Sequence, residues 1–404
     1  MIRLETTSVL DGIKRSMLLL GAAFMLPIMA FSQDSSDFEA FKQQYQQGYS
    51  DMVKEFEEGV ASSMDDYEAY REAYEKEYNN FKKEMMEQWG EFKERSKKQW
   101  VEYKETGKLR VAVDFEKGEG EVAVLADSPE EAEEVKKKMG DKVQKAIESK
   151  GTREGFETEK LSNKEVTKEP VLKDQLKKEK SKSVKDYSEE LAAKDTKVEK
   201  VKGKDGKERY KVYVDFSLAS DHLEKRARKV EKEVYKFAEE NKIDPALVFA
   251  IIHTESYFNP TAASHANAYG LMQLVPTSGG RDAYNAAFGE DGIPTKEFLF
   301  EPENNVNLGC IYVDILTSRY FRKVENPKTR EYMAISAYNT GAGNVAKAYI
   351  GSTNLGRALG KINGMSEEEN YDHLVKHLPY KETRDYLQKV TKRRELYNSW
   401  KTTN

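Results

Sequence analysis

The chain has 404 residues, 34% of them charged and 38% hydrophobic, which is too much for one compact domain but enough apolar material for at least one real core. Its 66 basic and 71 acidic residues are intermixed and leave a net charge of -5, so no overall basic field favours nucleic acid. The single cysteine, Cys310, excludes an intramolecular disulfide.

Lys14 and Arg15 precede an apolar run, MLLLGAAFMLPIMAFS, from Met17 to Ser32. A basic start, a run short for a membrane span, and the small residues Ala30 and Ser32 ahead of Gln33 read as a signal peptide over residues 1–32. An uncleaved anchor is the alternative, and with either the bulk of the chain is exported. The one cysteine, Cys310, lies far downstream of the run, so lipid attachment after the signal is not expected.

Residues 33–105 read as an N-terminal helical region. Phe38, Phe41, Tyr45, Tyr49, Met52, Phe56 and Val60 recur three or four apart, and Tyr67, Tyr70, Tyr74, Tyr78, Phe81, Met85, Trp89 and Phe92 repeat the pattern. Each run lies on one helical face, as one long amphipathic helix or a hairpin of two. An aromatic face suits sugars or partners, but a stripe at this spacing more commonly packs against protein.

Residues 106–217 read as a small α+β domain with a charged insertion. In LRVAVDF, Leu109, Val111, Val113 and Phe115 alternate with other residues; EKGEG turns the chain and EVAVLA returns it, a hairpin pattern. A similar strand, YKVYVDF, runs from Tyr210 to Phe216, its VYVDF echoing the earlier VAVDF. Between them, Pro129 to Ile147 is expected to be helix over one sheet face, and the remaining Lys- and Glu-rich stretch a solvated insertion. No catalytic constellation stands out, and the expected role is positional.

From Asp221 the periodicity is helical. Ala227, Val230, Val234 and Phe237 mark one amphipathic helix, and Asp244-Pro245 supplies the start signal for a second, ALVFAIIHTES. That helix is apolar nearly all round and belongs in a core, with Glu255 at its end. A carboxyl there meets desolvation and the negative end of the helix dipole, and both favour the protonated form. A glutamic acid that keeps its proton near neutrality suits general acid work on a glycosidic bond. A glutamate at a helix end that merely faces water is the alternative reading from the helix alone.

The rest of the pattern decides between them. Glu255-Ser256, then Asn259-Pro260, Ser264, GLMQL from Gly270, SAYNTGAG from Ser336 and LPYKETRDYLQKV from Leu378 resemble, in order and spacing, the "ES", "GLMQ", "AYN" and "ETRxY" motifs of the soluble-lytic-transglycosylase catalytic domain. The resemblance covers about 185 residues to the C-terminus and is nearest to the type-C membrane-bound murein enzymes of that family. FLFEPENNVNLGCIYVDIL and QWVEYKETGKLRVAVDFEKGEGEV also look like that type.

It implies an α+β multidomain protein whose residues 218–404 form an all-α, lysozyme-like catalytic domain acting on peptidoglycan glycan strands in the periplasm or cell envelope. Glu255 would act alone as acid and then base, forming a 1,6-anhydromuramoyl end without a cofactor. Tyr386 would orient it; Ser256 would support the motif turn, Ser264 would lie near the acid, and Met272, Gln273, Tyr338 and Asn339 would bind glycan. Where relatives carry a second serine, this chain has Ala266, and the missing lipid-attachment cysteine departs from a membrane-bound type. Asp282, Glu290 and Glu301 are the carboxylates that could approach Glu255 in space. The competing functions are a hydrolytic muramidase and a non-catalytic wall-binding or assembly protein.

Other candidates are weaker. His373 and His377 share a helix begun by a Ser366 to Glu369 capping box, but they have no third ligand nearby and no HExxH, so no metal is expected. Cys310 lies on an apolar stripe and reads as a buried hydrophobe. The glycines of NTGAGN follow a helix and read as a tight turn, not a phosphate loop.

Overall fold

The computed structural model describes residues 60–61, 64–153, 155–156, 164–179, 182–264, 266–289 and 291–402. The signal run, the first aromatic run and Glu290 lie outside the described residues, apart from the backbone of Val60.

The chain enters through a short strand, β1 (Val60–Ala61), and a helix, α1 (Met64–Trp89). A five-stranded sheet follows, built from β2 (Gln99–Lys104), β3 (Leu109–Asp114), β4 (Glu119–Ala126), β5 (Lys197–Lys202) and β6 (Glu208–Ser217). The order is β2-β3-β4-β6-β5, with every neighbouring pair antiparallel. The echo of VAVDF in VYVDF has a structural cause: Val122 of β4 pairs with Val111 on one side and Val214 on the other. Both strands therefore present valine to the same core.

Alternation sends two sets of side chains to opposite faces. One face carries Val111, Val113, Val122, Val124, Val212 and Val214 against α2 (Pro129–Lys137) and α3 (Met139–Ile147), whose Ala132, Met139 and Val143 are buried there. The other carries Val101, Tyr103, Ala123 and Leu125 against Phe81, Met85 and Trp89 of α1. The second aromatic run is thus a packing stripe in its C-terminal half. Tyr74 and Tyr78 stack on one another at 6.0 Å, and Tyr70 remains exposed.

Three details differ from expectation. The sheet begins at Gln99, before the expected 106, because Trp100 and Tyr103 bury on opposite faces while the intervening residues give a weak alternation. The described residues after Ile147 are not all solvated: Val171, Leu172 and Leu176 are core residues, α4 (Val184–Asp195) packs Tyr187 and Leu191 on the same core, and β5 forms the sheet edge. The amphipathic helix around Val230 is two helices, α5 (His222–Lys229) and α6 (Glu231–Glu240), which meet at Val230.

From there the chain is helical: α7 (Pro245–Ser256), α8 (Gly279–Phe288), a short strand β7 (Ile293–Pro294) paired with β1, α9 (Lys296–Phe300), α10 (Pro302–Asp314), α11 (Pro327–Thr340), α12 (Ala342–Ile350), α13 (Leu355–Asn363), α14 (Glu367–His377) and α15 (Lys381–Asn398). Helix α7 is central. Its Leu247, Val248, Phe249, Ile251 and Ile252 are all buried, each side chain contributing about 1.5–3 kcal/mol, and α15 packs along it through Tyr386, Leu387 and Val390. Cys310 is in this core, as its stripe predicts, with its thiol pushed far up by burial.

Candidate active site

The start and stop of α7 set the position of Glu255. The Asp244 carboxylate accepts from the Ala246 amide at 3.1 Å, and Pro245 fills the first turn. At the other end Tyr257 and Phe258 both adopt positive φ, 53° and 59°, a conformation that costs non-glycine residues free energy and persists only when the surroundings hold it. Tyr257 is held by its hydroxyl, which donates to Glu116 at 2.7 Å, and by Arg226, whose Nε donates to the Tyr257 carbonyl at 2.9 Å. Phe258 is buried. The helix therefore ends at Ser256, one residue beyond Glu255.

Glu255 is 4% exposed. Burial pushes its carboxyl above the ordinary range, while the Lys97 ammonium, 3.0 Å from Oε2, works in the opposite direction. The carboxylate whose field adds to the upward push is that of Glu382, exposed at the start of α15. Asp282 faces Tyr312 instead, and Glu301 precedes α10. Sequence reasoning missed Lys97 because it lies 158 residues away on the loop before β2.

The expected site residues divide into two groups. Around the carboxyl stand Tyr386 and Tyr338. Tyr386 is buried, its hydroxyl has no hydrogen bond of ordinary geometry, and its phenol is held well above its usual pKa by burial and then by Glu255. Tyr338 is partly exposed, its hydroxyl donates to the Met272 carbonyl at 2.8 Å, and its ring tilts against Tyr312. Its phenol is raised by burial and by Glu255 as well. Asn339, the next residue, accepts through Oδ1 from Thr383 at 2.7 Å, so a threonine of the ETRDY motif sets its amide.

The second group shapes the loop. Ser256 bridges the carbonyls of Ile252 and Leu271 at 3.1 and 2.7 Å, tying the helix end to the GLMQ turn. Ser264 accepts from the amides of Ala266 and Ala268 and closes a local turn. Met272 was expected among the glycan-binding side chains, but it is fully buried against Gly309 in the helical core; a thioether in a tight apolar gap is packing. Gln273 cannot donate to a sugar: both donors of its amide go to the carbonyls of Ala262 and Gly270 at 3.0 Å, and only the buried Oε1 is left without a partner.

Asn305, missed from sequence, organises this turn. Its Nδ2 donates to the carbonyls of Tyr269 and Leu299, and its Oδ1 accepts from the Met272 amide at 2.7 Å. Gly270, at φ 75°, lies so close that a Cβ there would strike Asn305 and the Leu299 carbonyl. The available signal was the NNVNLG stretch, in which a buried asparagine must spend its whole amide on backbone groups.

The neighbouring histidine, His253, is not part of this chemistry. It is buried beside Tyr397, at 3.0 Å, and burial together with Arg393 and Arg226 lowers its pKa to about 3, so it is neutral. The rings of His373 and His377 lie 4.4 Å apart and tilted by 38°, and no group of metal-holding residues occurs among the described residues. A cavity of about 850 Å³ lies against the sheet, lined by Asp114, Glu119, Glu121 and Asp215, and none of the groups around Glu255 lines it.

Comparisons with known proteins match two parts of the chain. A family model described as the transglycosylase SLT domain matches residues 233–357, and one described as the N-terminal domain of membrane-bound lytic murein transglycosylase C matches residues 67–229. The chain is 41% identical over 185 residues to the membrane-bound lytic murein transglycosylase C of Haemophilus ducreyi, covering 46% of this chain and 50% of that protein. It is 41% identical over 184 residues to the protein of that name from Sodalis glossinidius, covering 46% and 51%. The chain thus spans about half the length of the curated relatives it matches. The solved lytic transglycosylase Slt of Pseudomonas aeruginosa, an inactive mutant, is 25% identical over 42% of this chain and 24% of that one, with a TM-score of 0.32; that likeness is too weak to position any residue.

Proposed function

We propose, for a chain that carries an SLT transglycosylase domain behind an N-terminal domain of the membrane-bound lytic murein transglycosylase C type, that it cleaves peptidoglycan glycan strands as a lytic transglycosylase. The observation that carries this reading is the setting of Glu255: one carboxyl, buried at the end of an apolar helix and pushed toward its protonated form, with tyrosines in place of a second hydrogen-bonded carboxylate. Glycosidases that use water or an enzyme nucleophile need two carboxylates at set separations. An enzyme that lets the substrate supply its own nucleophile needs one.

In the proposed reaction Glu255 protonates the oxygen between N-acetylmuramic acid and N-acetylglucosamine as the bond to C1 breaks, with the substrate's acetamido group assisting departure. The carboxylate so formed then takes the proton of the muramoyl C6 hydroxyl, whose oxygen bonds to C1. The product is a 1,6-anhydromuramoyl end, no water is consumed, and the acid is regenerated. Tyr386 orients the carboxyl, Tyr338 and Asn339 line the glycan side, and Gln273 supports them by fixing the GLMQ turn. Ser256 and Ser264 hold the loop.

Residues 1–32 as an export signal and a site of action in the cell envelope belong to the same reading. No helix among the described residues is long and apolar enough to cross a membrane. The experiment incubates purified sacculi with the protein and with Glu255→Gln and weighs the released muropeptides. Products one water lighter than hydrolytic ones, absent with the variant, are expected; reducing-end products would make it a muramidase, and no release by either protein would favour a wall-binding role.

A further inference from the structure

The loop from residue 90 to residue 98, between α1 and β2, is fastened on both sides of Lys97. Arg95 donates to the carbonyls of Arg153 and Thr152, both at 2.7 Å, and the Lys93 amide donates to the Tyr103 hydroxyl at 2.9 Å. After Lys97, the Lys98 ammonium pairs with Glu116 at 2.7 Å and lies 4.8 Å from the centre of the Tyr257 ring. The position of Lys97 is therefore built by its neighbours, and a sheet-side loop puts an ammonium on the carboxyl of a helix in the C-terminal part.

The pairing is unequal in exposure. The Glu255 side chain is 5% exposed and that of Lys97 35%, so the accessible side of this ion pair is the lysine side. The other groups that act on the carboxyl are Tyr386, buried on α15; Tyr338, partly exposed on α11; and Glu382, exposed on α15. Lys97 is the one cation among them. A glycosidic oxygen that receives a proton from Glu255 must come within hydrogen-bond reach of the carboxyl, where the Lys97 ammonium now stands.

We propose that Lys97 is a substrate-displaced gate on Glu255: a positioning residue whose ammonium pairs with the carboxylate in the free protein and is pushed aside by an incoming glycan strand. The inference rests on the reading of Glu255 as the acid. While the pair is intact, the lysine favours the ionised carboxyl, which is the wrong form for the first step. Displacement leaves the carboxyl in its buried setting, where the neutral form is favoured, and it takes up a proton from solvent. The acid is thereby charged with its proton when a strand occupies the cleft.

The test compares the full chain with Lys97→Met and Lys97→Arg on soluble glycan strands, measuring kcat and kcat/KM from acid to alkaline pH. The profile of kcat/KM reports the free protein and that of kcat the complex. The expected result is a wild-type alkaline limb that lies at lower pH in kcat/KM than in kcat. Lys97→Met should move the kcat/KM limb up to that of kcat and raise kcat/KM above wild type on the alkaline side, while Lys97→Arg behaves as wild type.

An unmoved limb in Lys97→Met would overturn the gate, as would a uniform fall in kcat at every pH. Lys97→Gln repeats the comparison if the methionine variant melts at a lower temperature. Glu255→Gln, run alongside, keeps the two readings apart: activity surviving in that variant removes the acid assignment, whereas its loss with an unmoved Lys97→Met profile removes only the gate.

Discussion

The guanidinium of Arg226 donates to the backbone carbonyl of Tyr257 over 2.9 Å, from a position that is 2% exposed. The same side chain donates to Gln175 at 2.7 Å and lies 4.4 Å from the centre of the Phe115 ring. One buried cation thus holds the positive-φ residue that ends the Glu255 helix against the strand-rich part of the chain. Burial lowers its pKa to about 9, so it remains charged at neutrality.

Arg226→Met keeps a similar volume but strands the acceptors that Arg226 serves, the Tyr257 and Phe115 carbonyls and Gln175 Oε1, and removes its contact with His222 Nδ1, at about 1–3 kcal/mol for each buried acceptor left unsatisfied. Part of that cost is offset because a desolvated charge also disappears. The expected outcome is a loss of stability of about 1–3 kcal/mol in urea unfolding, together with a lower kcat on glycan, because the turn after Glu255 loosens. Unchanged kcat would mean that the turn is held without Arg226.

Tyr386 gives the opposite combination. Its buried hydroxyl meets no hydrogen bond of ordinary geometry and its main interacting group is the Glu255 carboxyl, so removing it costs the fold little. Tyr386→Phe should therefore melt at or above the wild-type temperature while losing activity by about 10-fold to 100-fold, equivalent to about 1.4–2.7 kcal/mol of transition-state stabilisation. A variant with wild-type turnover would remove Tyr386 from the orienting role.

The Asn305 amide offers an isosteric test. Asn305→Asp replaces the Nδ2 that serves the Tyr269 and Leu299 carbonyls with an oxygen that repels both. Two buried carbonyls lose their donor and a carboxyl is buried among them, which should cost about 3 kcal/mol or more. Denaturant unfolding measures the loss. It should be smaller at acid pH, where the new carboxyl is protonated and can donate once; a loss independent of pH would contradict the account.

Two histidines, His253 buried and His222 half-buried, set the acid limb of stability. The pKa of His253 is lowered from 6.5 to about 3, first by burial and then by Arg393 and Arg226, and that of His222 to about 4, first by burial and then by Arg226. Below pH 6.5 the unfolded chain binds a proton at each that the folded chain does not. Stability is therefore fully present above 6.5 and falls as the pH drops toward 4, by about 1.4 kcal/mol per pH unit for each histidine. Urea unfolding across that window should show the slope, and His253→Gln should reduce it by about half; an equal slope in the variant would assign the effect elsewhere.

What the sequence by itself determined is what depends on neighbours along the chain. The Asp244-Pro245 start of α7, its apolar circumference, the placement of Glu255 at its end, the β3-β4 hairpin and the Ser366 capping box are set by side chains a few residues apart, and local spacing carries that information. The α1 stripe was legible as a packing face for the same reason, although not which sheet face it would cover.

Only the tertiary structure decided the surroundings of the acid. Lys97 reaches Glu255 across 158 residues, Asn305 reaches Met272 across 33, and Arg226 reaches Tyr257 across 31. None of these side chains sits in a periodic or capping pattern that marks it. Met272 shows the converse: a residue in a motif beside the site turned inward, because the gap opposite Gly309 admits an unbranched apolar chain. Local sequence sets which residues can form a helix end or a turn. The field and hydrogen bonds at a buried carboxyl come from whatever distant side chains the packed core brings within a few ångströms.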